Sequence, residues 1–235
     1  MERIVGSFQS SGRVSAQYLP VVFIGFSLAS DQPGPIYMAN NCYNLIEFLG
    51  NKKVKAQARA WNAELAKFAP TPEDPHCLRA IRAVFYPDLD EGTNLDFGSK
   101  WVHVDTESLS PSDDQLGLQS AWGRPALLEQ HLACLLYRLD KKVVIRNSYN
   151  IEDGSRGVAY TTPESETGAY CQWAYEELDS HRFDDPEEAE LDLESRLAKS
   201  EVQILTDYFL DDMPHLAKVL RKHLPHLEID WEEFD

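Results

Sequence analysis

Lysine and arginine are scarce in this sequence: 22 of them face 39 aspartates and glutamates across 235 residues, for a formal net charge of −17. The shortage argues against general affinity for nucleic acid or for an anionic membrane surface, both of which need clustered cations. Lys52, Lys53, Lys55 and Arg59 make the best local basic group. Cysteine is equally sparse, and Cys42, Cys77, Cys134 and Cys171 include no C-x-x-C pair. Their spacing suits neither a zinc knuckle nor a dense disulfide framework, so they read as reduced, mostly buried thiols. No run approaches the ~20 apolar residues of a membrane-spanning helix. Also missing are the G-x-S-x-G elbow, the P-loop and the dinucleotide fingerprint. These absences lead us to expect no cofactor, no metal, no catalytic residue set and a cytoplasmic location.

What the chain has in quantity is acid, and it is concentrated. Residues 176–235 hold 19 Asp and Glu against 6 Lys and Arg, a net of −13 within the chain's −17. The other residues are close to neutral, and 43% hydrophobic and 11% aromatic content is ordinary for a folded protein. A concentrated field of one sign speaks to partners and solubility rather than to fold. It attracts a protein with a basic surface, and the candidate contacts are Asp184, Asp185, Glu187, Glu188, Glu190, Asp192, Glu194, Asp211, Asp212, Glu232 and Glu233. Three readings stay open. The acids form a solvated helix face, they dock a cationic protein, or they imitate the phosphate spacing of DNA and block a nucleic-acid-binding host or defence factor.

Three regions are expected: an N-terminal extension (1–37), a folded domain (38–178) and an acidic helical C-terminal region (179–235). In the extension, Leu19 to Phe26 is a short apolar run followed by Ser27-Leu28-Ala29, which a signal peptidase could cut. Its long polar lead-in and β-branched content favour a buried strand. The breaker Asp31-Gln32-Pro33-Gly34-Pro35 separates it from the folded domain. The pattern then predicts a strand over 42–49, a helix over 52–68 with Val54, Ala58, Trp61, Leu65 and Phe68 on one face, and a short helix over 76–85. Strands over 101–105 and 116–122 flank a loop, and Gly123-Arg124-Pro125 opens a leucine-rich helix with proline at its first position. Strands over 141–149 and 157–162 come next, then helices from 184 to about 211 and from 214 to about 224. The order is that of the ferredoxin-like split βαβ class, an α+β antiparallel sheet with helices on one face, here with an acidic helical appendage.

Three short islands carry a family resemblance: Met38-Ala39-Asn40-Asn41-Cys42-Tyr43-Asn44, Asn94-Leu95-Asp96-Phe97-Gly98-Ser99-Lys100-Trp101, and Ser120-Ala121-Trp122 with Pro125. In order and separation they resemble the YubB-type proteins of plasmids, prophages and genomic islands, over about residues 38–162. Asn41 stands where that family has Trp, and Ala39 where it has an early Pro. Met38 sits where a member would begin, so residues 1–37 read either as an extra element or as an over-long start. The resemblance implies a ferredoxin-like fold and a mobile-element setting, with the host cytoplasm as the compartment; it implies no chemistry.

Each candidate constellation has a bland counterpart. Phe97, Lys100, Trp101, His103, Trp122 and Arg124 could form a sheet-face ligand site in which rings stack on a base, giving either single-stranded nucleic-acid binding or a small hydrolase or nucleic-acid-modifying enzyme. Equally, the rings pack as core. His103 with Asp105, and His215, His223 and His226 with Asp211, Asp212 and Glu228, are the only groupings that invite a metal, and Pro225 interrupts the second. The leading expectation is a non-catalytic mobile-element protein that binds a protein partner through its acidic region.

Overall fold

The computed structural model describes residues 40–68, 78–90, 92–104, 109–110, 112–152, 154–165, 170–178, 195–203, 205–210 and 214–230. Strand β1 (Asn41–Leu49) leads into helices α1 (Lys52–Leu65) and α2 (Leu78–Phe85). Strands β2 (Val102–Val104) and β3 (Gln115–Ala121), helix α3 (Ala126–Leu136), and strands β4 (Val144–Ile151), β5 (Ser155–Pro163) and β6 (Tyr170–Leu178) come after them. A helical stretch, α4 (195–203), a π-helical turn (Leu205–Leu210) and helix α5 (Pro214–His223) are the last described elements. All six strands pair antiparallel in the order β2-β3-β1-β4-β5-β6, so the chain is a mixed α+β fold on one open sheet.

Side chains alternate across a strand, so the register assigns each residue to a face. On β1, Ile46 and Phe48 point with Leu116, Leu118 and Ile145 into a core roofed by α1, α2 and α3. At its centre Trp61 meets Phe48 at 5.7 Å and Phe85 at 5.2 Å, both edge to face. This is the geometry that aromatic quadrupoles favour. Leu49, Val144, Val158 and Tyr160 point the other way and join Leu205, Leu210, Leu216 and Leu220 in a second core. Helices therefore lie on both faces, not on one as the element order led us to expect. The reason is the apolar stripe of α5: Leu216 and Leu220 are spaced to bury together, and the sheet offers them β-branched and aromatic partners.

Local chemistry explains the element ends. Asn51 caps α1 by accepting from the Lys53 and Val54 amides at 2.8 and 3.3 Å. Helix α1 stops at Leu65 rather than 68, and its last amides turn back onto Asn62 and Glu64. Pro125 precedes α3 as its cap residue instead of sitting at the first helical position. Strand β6 is an addition to the expected elements, although Cys171, Trp173 and Tyr175 alternate with Gln172, Ala174 and Glu176. Gly157 has no alternative in β5, because a Cβ there would lie 2.3 Å from the ring of its cross-strand partner Tyr149.

Candidate functional site

Beneath α3 the helix-covered core contains a polar network centred on Glu129, which is wholly buried. Its carboxylate accepts from Asn147 Nδ2 at 2.7 Å, Gln172 Nε2 at 3.2 Å and Thr161 Oγ1 at 3.3 Å, and forms a short ion pair with Arg124. Asn147 Nδ2 also donates to Asn44 Oδ1 at 2.9 Å, and Asn44 Nδ2 donates to Ser120 Oγ at 2.8 Å and to the Cys42 carbonyl at 2.9 Å. Because both neighbours of the Asn147 amide nitrogen are acceptors, its orientation is fixed, and its oxygen is left buried without a partner.

The three sequence islands meet at the edge of this network. Trp122 leaves β3 with φ 69° and donates its backbone N–H to the Asn40 carbonyl at 2.9 Å. Positive φ is rare for a bulky residue and points to a site that its surroundings over-determine. Ser99 Oγ bonds the Ala121 carbonyl at 2.7 Å, and the Phe97 carbonyl accepts from Leu127 N at 3.0 Å at the start of α3. Gly98, at φ 76°, is needed there because a Cβ would crowd that same amide. Asn41 holds Glu152 through its backbone at 2.9 Å and its side chain at 2.6 Å, which lowers the Glu152 pKa.

The opposite face is different. A cavity of about 460 Å³ opens between the sheet and α4, lined among others by Tyr43, Leu45, Gly117, Arg146, Ser148 and Glu201. Arg146 donates to Glu47 at 2.6 Å, to Ser148 at 2.7 Å and to both oxygens of Glu201 at 3.0 and 3.1 Å. Burial opposes the Arg146 charge, but the hydrogen bonds and charge of Glu201 outweigh it and hold its pKa above the usual range. The Tyr160 hydroxyl makes a short bond to Glu201, and burial together with that carboxylate pushes its pKa well up. This cluster pins α4 to the sheet.

The six residues expected to share a sheet-face site do not converge. Phe97 lies in the helix-side core, and Arg124 is turned to Glu129 on that same side. Trp101 and His103 stack on each other at 5.1 Å on the opposite face, with His103 Nε2 bonded to Gln119 Oε1 at 2.9 Å. Lys100 is exposed, and Trp122 is 53% exposed at the sheet corner. The expected acidic contacts Asp184, Asp185, Glu187, Glu188, Glu190, Asp192, Glu194, Asp211, Asp212, Glu232 and Glu233 lie outside the described residues, as does Asp105. Among the described residues no group of three or more His, Cys, Asp or Glu could hold a metal, and no helix is long and apolar enough to cross a membrane.

Sequence reasoning missed the Glu129 and Arg146 clusters, although each left a signal. Glu129 falls on the buried face of α3, seven residues before Leu136, and Arg146 interrupts the run Val143-Val144-Ile145 inside a strand. No protein family, curated protein or solved structure compared with the chain matches it.

Proposed function

We propose that this chain is a non-catalytic binding protein carried by a mobile element, and that its C-terminal acids engage a protein partner with a basic surface. The partner class that fits is a host or defence factor that itself handles nucleic acid, because a surface built for phosphates also accepts carboxylates. The observation that carries this reading is charge segregation, with 19 acids against 6 cations in residues 176–235. A ferredoxin-like body is supported by the strand order β2-β3-β1-β4 together with the chain order strand, helices, two strands, helix, strand; β5 and β6 extend that sheet.

The test uses the full chain, because α5 fills a core against Val144, Val158 and Tyr160 that truncation would open. Asp184, Asp185, Glu187, Glu188, Glu190, Asp192 and Glu194 are replaced by Asn or Gln, and proteins captured from lysate of the cell that carries the gene are compared with those the unaltered chain captures. The expected outcome is loss of specific partners whose capture by the native chain weakens with salt. Equal recovery of the same partners would sink the role given to these acids.

A further inference from the structure

We propose that the cavity between the sheet and α4 binds one uncharged planar heteroaromatic ring system, the chemistry of a free nucleobase or nucleoside. Its volume, about 460 Å³, lies within the ~300–1,000 Å³ of small-molecule sites. The floor is flat and apolar. Leu45 is 42% exposed, and its cross-strand neighbour on β3 is Gly117, where a missing side chain lets a ring approach the backbone. Tyr43, one position along that face, is 45% exposed and supplies the stacking surface. Two residues before it on the same face, Asn41 is fixed by its backbone and side-chain bonds to Glu152, so the strand that carries the ring is held before a ligand arrives.

Polar groups are arranged along one side of this floor. Ser148, the cross-strand partner of Leu45 on β4, accepts from Arg146 and keeps its own hydroxyl proton to donate. Asn150, the partner of Tyr43, presents an exposed amide that can both donate and accept. Together they can read the edge of a ring. Charge selects against a phosphate: Glu47 and Glu201 consume Arg146, and Arg156 at the rim is already engaged. The site uses none of the C-terminal acids invoked above, so the two readings stand or fall separately.

Calorimetric titration of the full chain with adenosine, guanosine, cytidine and uridine, their 5′-monophosphates, and a single-stranded tetranucleotide tests the assignment. At least one nucleoside is expected to bind one to one with a Kd at or below about 1 mM, and its monophosphate no tighter. Tyr43→Ala should weaken that binding about tenfold and Tyr43→Phe should preserve it, since the ring does the stacking. Gly117→Val, which fills the floor with a strand-favouring residue, should abolish binding with the melting temperature kept, and serves if Tyr43→Ala fails to fold. No heat from any nucleoside up to about 10 mM overturns the proposal, as does unchanged affinity in both Tyr43→Ala and Gly117→Val. So does a monophosphate or tetranucleotide that binds more than about tenfold tighter with steep salt dependence, which would make this a phosphate or strand site.

Discussion

The two faces of the sheet bury charge in opposite ways. Under α3 a single carboxylate, Glu129, is surrounded by amides and a hydroxyl, with one guanidinium at the edge. Across the sheet a single guanidinium, Arg146, is held between two carboxylates and a tyrosine hydroxyl. The first cluster is sealed by helices, with an apolar core beside it that runs from Val54 to Ile145. The second borders a cavity, because the π-helical turn and α5 bury Leu49, Val144, Val158 and Tyr160 on their face, while Tyr43 and Leu45 stay partly exposed beside them. Both faces thus bury an apolar core, and the second also keeps an open cavity beside its core.

Removing the anion from the sealed face should have the largest effect. Glu129→Ala takes the anion from Arg124 and an acceptor from the buried Asn147 and Thr161 and the part-buried Gln172, and a loss of about 3–5 kcal/mol is expected in urea denaturation. Glu129→Gln, which keeps the shape and an acceptor oxygen, should lose less. If both variants melt like the parent, Glu129 is not the organising group of that face. The matching change on the other face is Leu220→Ala, expected to lower stability by about 2–4 kcal/mol because a wholly buried leucine leaves a cavity against the sheet. A single cooperative transition at lower denaturant would mark α5 as part of the body. An unchanged main transition would mean that α5 does not support the sheet.

Gly157→Ala probes the sheet between the faces, since its Cβ would strike the Tyr149 ring. About 1–3 kcal/mol of overpacking loss is expected. Adding Tyr149→Ser should recover part of it, and purely additive effects would show that the ring does not rest on the glycine.

The elements that could be read from the sequence were those with a one-sided pattern. Val54, Ala58, Trp61 and Leu65 in α1 bury as their spacing predicts, and Leu216 and Leu220 mark α5 equally well. The pattern shows that a stripe will be buried and not which face of the sheet will bury it, so α5 could be read as a helix without its partner. Strand β6 was missed because its alternation, in Cys171, Trp173 and Tyr175, ends in consecutive acids that resemble the helical region beyond. The expected sheet-face site failed for a related reason. Phe97 and Trp101 are close in sequence, but Gly98 turns the chain between them, so that Phe97 enters the helix-side core and Trp101 stacks on the other face. Single hydrogen bonds in the clusters on Glu129 and Arg146 span up to 103 positions, as between Asn44 and Asn147, and such pairing depends on register that no local pattern encodes.

The smallest expected effect separates the faces by pH. His131 on α3 stacks on Tyr86 at 4.0 Å with its Nε2 placed 2.7 Å from the Phe85 carbonyl, and burial lowers its pKa although that backbone bond pulls the other way. On α5, His215 and His223 are lowered by burial first, and then by the charge of Lys142 for one and of Lys55 and Lys222 for the other. All three have folded values below the unfolded 6.5, so their contribution is fully present above pH 6.5 and is lost as pH falls through the folded values. The stability gap between the parent and His131→Gln should therefore narrow between pH 7.5 and 5.5, and so should the gap for His223→Gln. Salt distinguishes them. A shift that arises partly from neighbouring lysines is screened, whereas one that arises from burial is not. At about 0.5 M salt the pH dependence of the His223→Gln gap should weaken in part, by the share of the lysine charge that Asp114 and Asp140 do not offset, and that of His131→Gln should persist, read from denaturation midpoints across the series. Equal flattening in both would mean that His131 is governed by distant charge rather than by its place under the helix layer.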